Sequence, residues 1–336
     1  MQDRARNAGI AGAEAQGTRT HPVQYAEINI IAFGHPSGEA APAPAAGTAS
    51  GALCANVEPF KIKTAPLLKD GIRESMKRLL NVLPARAYLQ LKWNYGRLFD
   101  RKAFEELQKL RYTTQGTFSF KEFDRKKAIF VHIPKCAGIA VKRVLFDDLS
   151  GGHTKLTTYC RVFEPELFLS YFKFTFIRNP WDRLVSAYHY LQGGGFAEGD
   201  KKWFERELGR YGDFDDFVRN WLRTENIRKH IHFIPQVEFL EDENNSGVKV
   251  DYIGFFENIE SDFNYIAGRI GVDNTLKKGN ASSHNGYWDY YSETTREIVR
   301  DVYRRDIERF GYEFDNSSLA RQVANRDAAL PRIEPG

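Results

Sequence analysis

An apolar run that ends in a proline–lysine pair and passes at once into a helical pattern constrains this chain most. The run is AIFVHI, residues 128–133, and Pro134, Lys135 and Gly138 follow it. A continuous apolar run is typical of a parallel strand that is covered on both faces. A strand–helix junction brings free backbone N–H groups and the positive end of the helix dipole to one point. The pattern therefore predicts an anion site at this junction.

The rest of the chain repeats the alternation of strand and helix. FKFTFI (172–177) and VKVDYIGFFEN (248–258) are predicted to be strands, and each precedes a helical pattern. After FKFTFI, Asn179 suits an N-cap and Pro180 suits the first helical position. Alternating elements predict an α/β fold, P-loop-like and three-layered, with a central parallel sheet flanked by helices.

A last long helix is predicted over about 295–310. Thr294 and Glu297 are the candidates for its capping box. Gly311 is placed where a glycine commonly ends a helix. This helix would close the α/β domain.

Composition divides the chain into four parts. Residues 1–56 are rich in Ala, Gly and Pro and are predicted to be disordered. Residues 57–125 form a basic helical lead-in, and 126–318 form the α/β domain that carries the motifs. Residues 319–336 are left as a C-terminal tail.

Positive charge is concentrated in the lead-in. Residues 61–111 carry 13 Lys and Arg against 5 Asp and Glu, a net charge of +8, whereas the whole chain has +4. Such a segment indicates an anionic partner or peripheral contact with a membrane surface, although a solvated helical face is the simpler explanation. No motif supports a nucleic-acid partner.

Three cysteines, Cys54, Cys136 and Cys160, are too few for a disulfide framework and favour a reducing compartment. No apolar run approaches the roughly 18 residues that a transmembrane helix requires. We therefore expect a cytoplasmic protein, with the inner face of the membrane as an alternative location.

A second cationic motif, RNPWDRLVS (178–186), follows the FKFTFI strand. Arg178 stands where that strand ends, at the edge where open α/β sheets bind ligands. Its guanidinium suits bidentate phosphate contact, and Ser186 is placed to donate from a neighbouring turn. Arg183 shares the face of Ser186, and a solvated position is expected for it.

The first motif differs from a nucleoside-triphosphate P-loop. Its lysine precedes its one glycine, and no Gly-Lys-Ser/Thr triplet supplies a hydroxyl for Mg²⁺. The loop can cradle a phosphate, but no metal site is predicted. The missing hydroxyl counts against a P-loop-type kinase that uses ATP, which is kept as an alternative function. A non-catalytic binder of anionic polymers is another alternative, and it leaves the Arg178 motif unexplained.

Together, FVHIPKCAG and FTFIRNPWDRLVSAYHYL closely resemble the paired nucleotide motifs of sulfotransferases. The similarity extends over about 127–314 and includes GGHTKL, HFIPQ and GFFENIESDF. It is greatest to the branch that acts on carbohydrate hydroxyls, which includes the heparan and chondroitin enzymes and many bacterial relatives. This resemblance implies transfer of a sulfuryl group to a hydroxyl of a carbohydrate or glycan acceptor.

The resemblance also implies the donor, 3′-phosphoadenosine-5′-phosphosulfate, and assigns residues to it. Arg178 and Ser186 would hold the 3′-phosphate, and Lys135 would also neutralise charge on the leaving phosphate. The 5′-phosphosulfate would lie on the loop from the first strand into the helix, formed by Pro134, Lys135, Cys136, Ala137, Gly138, Ile139 and Ala140.

A base is needed to take the proton of the acceptor hydroxyl. His153 follows the glycine pair Gly151–Gly152, and the resemblance places the catalytic histidine of the family there. His232 in HFIPQ is the alternative, and general acid–base logic alone leaves both open. His132, inside the first strand, is expected to be a satisfied core residue.

Overall fold

The computed structural model describes residues 75, 78–116, 118–242, 247–273, 276 and 286–330. The segment predicted to be disordered, 1–56, lies outside the described residues. So do residues 57–74 of the predicted helical lead-in, whereas residues 78–82 of the lead-in are helical.

Three short strands form one parallel sheet in the order β1–β2–β3, with β1 at Ala128–Val131, β2 at Phe172–Ile177 and β3 at Tyr252–Phe255. Ala128 pairs with Phe172, and Phe174 pairs with Tyr252. All four residues of β1 are buried, so both faces of the strand are covered, as the apolar run predicts. The predicted α/β fold with a parallel sheet flanked by helices is confirmed.

Helices precede, connect and follow the strands. Before β1 lie α1 (Ala85–Phe99), α2 (Arg101–Tyr112) and α3 (Lys121–Lys126). Between β1 and β2 lie α4 (Gly138–Leu145), α5 (Leu156–Val162) and α6 (Pro165–Ser170). Between β2 and β3 lie α7 (Pro180–Gln192), α8 (Glu198–Glu207), α9 (Phe214–Asn220) and α10 (Val237–Leu240). After β3 come α11 (Ile259–Arg269), α12 (Glu293–Val302), α13 (Arg304–Phe310) and α14 (Leu319–Ala329).

The predicted last helix is two helices, and its start is corrected. Helix α12 begins after Ser292, whose side chain accepts a hydrogen bond from the backbone N–H of Thr295, so Thr294 is not the cap. Ser292 has the extended backbone that an N-cap requires. The break falls at Tyr303, which is buried and donates its hydroxyl to the carbonyl of Phe233 at 2.8 Å. The predicted end at Gly311 is confirmed, with φ of 71°.

Two cations of the basic lead-in are buried and paired. Lys92 lies 2.7 Å from Asp242, and Arg111 donates to Asp124 of α3 and, at 2.6 Å, to Glu164 of the α/β domain. These side chains attach α1 and α2 to the α/β domain, because a buried charge requires a partner. They are therefore unavailable to an external anion.

The residues left as a C-terminal tail include helix α14. Its Arg326 lies 2.8 Å from the buried Asp262 of α11, and Gln322 donates to the carbonyl of Phe310 at 2.7 Å. This helix therefore packs against the elements that follow β3.

The parallel arrangement places the carboxyl ends of all three strands at one edge. β1 leads into the loop 132–137, β2 into Arg178, and β3 into a 3-10 turn at Phe256–Asn258. This is the edge at which open α/β sheets bind ligands.

Candidate active site

The loop after β1 is built from an unusual backbone. Lys135 and Ala137 have positive φ angles of 68° and 60°, which non-glycine residues seldom adopt. Turns of this kind direct successive N–H groups into a concavity that suits an anion. Helix α4 starts at Gly138 without a side-chain cap, so its first N–H groups point to the same place. Ile139 and Ala140 lie half-buried in its first turn.

Gly138 is required by a close approach of the His132 ring. A Cβ atom at position 138 would lie 1.8 Å from Nε2 of His132. His132 is buried, as predicted, but its Nδ1 has no hydrogen-bond partner among the described residues. Burial holds the pKa of His132 well below its usual range, so the ring is neutral.

The Lys135 side chain is half-buried and lies over an aromatic ring. Its Nζ is 4.0 Å from the ring centroid of Tyr190 on α7, within the distance of a cation–π interaction. This contact directs the ammonium toward the loop and helix α7. The predicted phosphate lysine therefore has a defined orientation.

Arg178 is held by contacts on three sides. Its guanidinium donates to both carboxylate oxygens of Asp182, at 2.8 and 2.7 Å, and to the carbonyl of Lys135 at 3.2 Å. It also lies 4.1 Å from the ring centroid of Phe256, in the turn after β3. Burial alone would lower the pKa of Arg178, but the Asp182 carboxylate outweighs burial and raises it. The side chain thus links the carboxyl ends of all three strands.

Helix α7 carries the remaining residues of the second motif. As predicted, Asn179 is the N-cap, and its side-chain oxygen accepts from the backbone N–H of Trp181 at 3.0 Å. Ser186 is half-buried in the second turn. The structure therefore places Arg178 and Ser186 on the same connection that leaves β2.

The expectation that Arg183 is solvated is wrong. Its side chain is 2% exposed, and its Nε donates to the carbonyl of Pro134 at 3.0 Å. Another nitrogen of the guanidinium, Nη2, is buried without a hydrogen-bond partner among the described residues. Arg183 therefore adds a buried positive charge beside the loop that carries Lys135.

Gln236 joins the two motifs, and sequence reasoning missed it. Its Oε1 accepts from the backbone N–H of Arg178 at 2.9 Å, and its Nε2 donates to the carbonyl of Arg178 at 2.8 Å. The thiol of Cys136 lies 3.4 Å from the same Oε1. Gln236 is fully buried, and Asp306 accepts from its backbone N–H. The only signal in the sequence was the HFIPQ motif, which gave no role.

Cys136 contributes backbone rather than side chain to the loop. Its thiol is buried against Gln236, and burial raises the pKa of Cys136 to about 12. The thiol therefore stays neutral, so it is not a nucleophile at neutral pH.

Three histidines converge beside the loop. His153 Nδ1 lies 3.2 Å from the carbonyl oxygen of His132, and the two ring centroids are 4.4 Å apart. The His232 ring lies 5.6 Å from that of His153 and 4.8 Å from that of Tyr190. The structure thus brings both candidate bases, His153 and His232, to the Lys135 side of the site.

Both candidate bases are neutral at physiological pH. Burial lowers the pKa of His153 to about 4, although its contact with the His132 carbonyl opposes the shift. Burial also holds the pKa of His232 well below its usual range. Neutral imidazole is the form that accepts a proton, but a ring with so low a pKa is a weaker base than the unperturbed value implies.

The comparisons with known proteins agree with this geometry. A model of the sulfotransferase family matches residues 119–313, more than half of the 336 residues, so the chain belongs to the sulfotransferase family. Among curated proteins, it is 23% identical over 262 residues to carbohydrate sulfotransferase 10 of Mus musculus, covering 62% of this chain and 72% of that protein.

It is also 27% identical over 178 residues to carbohydrate sulfotransferase 14 of Danio rerio, covering 44% of this chain and 47% of that protein. No solved structure matches the chain at a significant level. The resemblance predicted from the two motifs is therefore confirmed, and the chain is a sulfotransferase by family.

The structure also bears on metal binding and on membrane insertion. Within the described part of the chain, no group of three or more His, Cys, Asp or Glu side chains is arranged to hold a metal ion. Over the same residues, no helix is long and apolar enough to cross a membrane.

Proposed function

We propose that this sulfotransferase moves the sulfuryl group of 3′-phosphoadenosine-5′-phosphosulfate to a hydroxyl of a carbohydrate acceptor. The observation that carries the proposal is the pairing of two cationic sites at one sheet edge. The guanidinium of Arg178 contacts the carbonyl of Lys135, so the two motifs adjoin. A donor with phosphates at both ends of a nucleoside matches such a pair. The names of the relatives support a carbohydrate acceptor.

The 5′ end of the donor is assigned to the loop 134–140. Its positive-φ backbone and the start of α4 offer N–H groups, and Lys135 adds a full charge. The buried Nη2 of Arg183 is a further donor without a protein partner in the described structure. These groups fit a phosphosulfate, because each can donate to oxygens that gain charge as the sulfuryl group leaves.

The 3′-phosphate is assigned to Arg178 and Ser186. A guanidinium already oriented by Phe256 and the Lys135 carbonyl needs little reordering to meet a phosphate. Asp182 and the Lys135 carbonyl engage three of its five N–H groups, so within the described residues one N–H on Nη1 and one on Nη2 are left to donate to a phosphate.

We assign the role of general base to His153, with His232 as a neighbouring acceptor. Nδ1 of His153 must donate to the carbonyl oxygen of His132, since that oxygen can only accept. Nε2 is therefore left with a lone pair. It takes the proton of the acceptor hydroxyl while the acceptor oxygen bonds to sulfur. The bond from sulfur to the 5′-phosphate oxygen breaks in the same step, and Lys135 stabilises the leaving phosphate.

Binding of the donor also tunes this base. The negative charges of the phosphosulfate favour protonated imidazole and raise its pKa from the low value of the free enzyme. The base thus becomes stronger once the donor is in place.

The lead-in is proposed to contact an anionic lipid surface. On α1, Leu91, Leu98 and Phe99 are at least half exposed, and the exposed Arg97 and Lys102 flank Leu98 and Phe99 in the sequence. Apolar side chains flanked by cations are the pattern of helices that lie on such surfaces. The double substitution Leu91→Glu and Leu98→Glu should abolish co-sedimentation with vesicles that contain phosphatidylserine. Persistent co-sedimentation would contradict the proposal, and Leu169→Glu on α6, also exposed, is the control.

Cys136 and Cys160 are free and buried. Free buried thiols fit the reducing cytoplasm that we propose as the location.

The donor assignment is tested by calorimetry with two nucleotides. Arg178→Ala should weaken binding of adenosine 3′,5′-bisphosphate by about 10- to 100-fold, the value of one hydrogen bond to a charged group. Binding of adenosine 5′-phosphate, which lacks the 3′-phosphate, should change little. Equal losses for both nucleotides would contradict the role of Arg178.

The reaction itself is tested with labelled sulfate donor and a panel of glycans. Transfer to a glycan should continue in the presence of EDTA. Loss of activity in EDTA with rescue by Mg²⁺, or phosphoryl transfer from ATP, would favour the kinase alternative instead.

A further inference from the structure

Asp200 connects the glycine-rich segment after α7, residues 193–195, with the histidines of the site. It lies in the first turn of α8, and its side chain is 21% exposed. One carboxylate oxygen, Oδ2, accepts from the backbone N–H of Phe196 at 3.2 Å and from the Tyr190 hydroxyl at 3.3 Å. The other, Oδ1, lies 3.4 Å from Nε2 of His230. The Asp200 carboxylate thus contacts two aromatic side chains beside the site, those of Tyr190 and His230.

The hydrogen bonds of His230 determine which of its nitrogens carries the proton. The backbone N–H of His232 donates to Nδ1 of His230 at 3.4 Å, and a backbone N–H can only donate. This contact favours Nδ1 of His230 as an acceptor, but at 3.4 Å it does not fix the tautomer alone. The Asp200 carboxylate, which can only accept, faces Nε2 at 3.4 Å and holds the proton there.

The tautomer of His232 follows from that of His230. Nδ1 of His232 lies 3.2 Å from Nδ1 of His230. Because the His230 nitrogen accepts, the His232 nitrogen must donate, and Nε2 of His232 is left with a lone pair. The same reasoning gave His153 a lone pair on Nε2, so the two candidate bases both present an unprotonated nitrogen.

We propose that Asp200 is a positioning residue of the site, which acts through His230 to hold His232 as an acceptor for a substrate hydroxyl hydrogen. Its bond to Tyr190 supports the same arrangement, since the Tyr190 ring contacts both the Lys135 ammonium and the His232 ring. His232 then orients the hydroxyl whose proton His153 removes. This role rests on the proposed sulfuryl transfer.

Nuclear magnetic resonance of ¹⁵N-labelled histidines tests the tautomers directly. In the wild-type protein, His230 should be protonated at Nε2 and His232 at Nδ1. In Asp200→Asn, the His230 and His232 signals should show a mixture of tautomers, because an amide can donate as well as accept. A wild-type His230 protonated at Nδ1 would overturn the inference, and so would tautomers that Asp200→Asn leaves unchanged.

Kinetics test whether this positioning matters for turnover. Asp200→Asn should lower kcat about 10- to 100-fold, the value of one hydrogen bond to a charged group, with donor affinity retained. The matched control is Asp216→Asn. Asp216 also accepts a loop N–H, that of Gly212 at 2.9 Å, and is likewise half-buried, but among the described residues its carboxylate bonds Gly212 and Asn220 and no histidine. In the Asp200→Asn background, His230→Gln should lower kcat little further, because both substitutions break the same connection.

The pH dependence of kcat distinguishes a loss of His232 positioning from a general loosening of the segment after α7. The groups whose charges act on the two candidate bases are Lys135, His153, Arg183, Asp200 and His230. Among them only the Asp200 carboxylate favours protonated imidazole, so Asp200→Asn should move the acid limb of kcat to lower pH. A uniform loss of kcat with an unmoved limb, or additive losses with His230→Gln, would overturn the inference.

Failure of this inference and failure of the proposed function are distinguishable. The tautomer measurement needs no turnover, so it stands whether or not a glycan is sulfated. Absence of sulfuryl transfer by the wild-type enzyme would contradict the proposed function, whereas full turnover by Asp200→Asn would contradict only the role of Asp200.

Discussion

The two ends of the candidate donor site are cationic in different ways. At the β1 end, Lys135 projects from a loop with positive φ angles, and its ammonium lies over the Tyr190 ring. At the β2 end, Arg178 already donates two hydrogen bonds to Asp182. Three histidines adjoin the first end, while Phe256 and Glu257 adjoin the second.

The site thus separates the chemical step, at the Lys135 end, from anchoring of the donor, at the Arg178 end. An ammonium near neutral imidazoles can rotate its three N–H donors toward charge that develops on a leaving group. A planar guanidinium fixed by a carboxylate and an aromatic ring can recognise a phosphate that does not react. We therefore expect substitutions at the Lys135 end to act on kcat and those at the Arg178 end to act on donor affinity.

The largest expected effect is that of His153→Ala. Loss of a positioned general base should lower kcat by about 10²–10⁴-fold, with donor affinity close to that of the wild type. His232→Ala should act mainly on the acceptor KM. Steady-state kinetics with a sulfated product readout measures both, and the reverse pattern would exchange the roles of the two residues.

The same base gives a pH prediction. Histidine titration followed by magnetic resonance should give His153 a pKa near the value of about 4 that burial imposes in the free enzyme. The acid limb of kcat, which reports the donor complex, should lie at higher pH because bound phosphates stabilise the imidazolium. An acid limb at or below the titration of the free enzyme would contradict this coupling.

Lys135→Ala should have the next largest effect. Removing one donor to a developing negative charge costs about 10²–10³ in kcat. Lys135→Arg should restore part of the charge but not its position over Tyr190. A change confined to donor affinity would remove the distinction between the two ends.

Much of the fold around the two ends of the site could be predicted from the sequence. The second strand was predicted at residues 172–177, and β2 has the same bounds. Asn179 and Pro180 were predicted at the start of α7, and they lie there. These signals are local, because apolar runs, caps and prolines act within a few residues.

What could not be predicted depends on partners distant in sequence. A helical pattern placed Arg183 on the face of Ser186, but it could not show that Pro134 covers that face. Gln236 bonds Arg178 across 58 residues, and no periodicity reports such a contact. The use of Ser292 rather than Thr294 as the N-cap of α12 also depends on distant residues, because Asp215 and Arg219 of α9 contact the Ser292 hydroxyl.

A smaller effect is expected at the Arg178 end from Asp182→Asn. If the carboxylate competes with the 3′-phosphate for the guanidinium, the variant should bind the bisphosphate more tightly. The Asn oxygen still accepts a hydrogen bond from the guanidinium, and a neutral acceptor contributes about 1 kcal/mol less than a charged one, so the gain should be roughly fivefold. Calorimetry with the bisphosphate measures it. Weaker binding would mean that Asp182 orients Arg178 for the phosphate rather than competing with it.

The smallest effect concerns stability and the Glu257 carboxyl beside Asn179. Burial raises the pKa of Glu257 to about 7 from an ordinary 4.5, although the Asn179 N–H, 2.6 Å away, opposes the shift. Between these two values the folded protein binds more protons than the unfolded chain does. Stability should therefore be fully present below pH 4.5 and decline as the pH rises to about 7.

Glu257→Gln isolates that contribution. Because the amide does not titrate, the variant should gain stability relative to the wild type as the pH rises from 5 to 7.5, by on the order of 1 kcal/mol. Urea unfolding at the two pH values measures the difference. The contacts of Glu257 with Asn179 and with the Tyr312 hydroxyl place this proton beside the Arg178 end. A stability difference that does not vary with pH would show that Glu257 is ionised in the folded protein, and the Arg178 end would then carry one more negative charge than we infer.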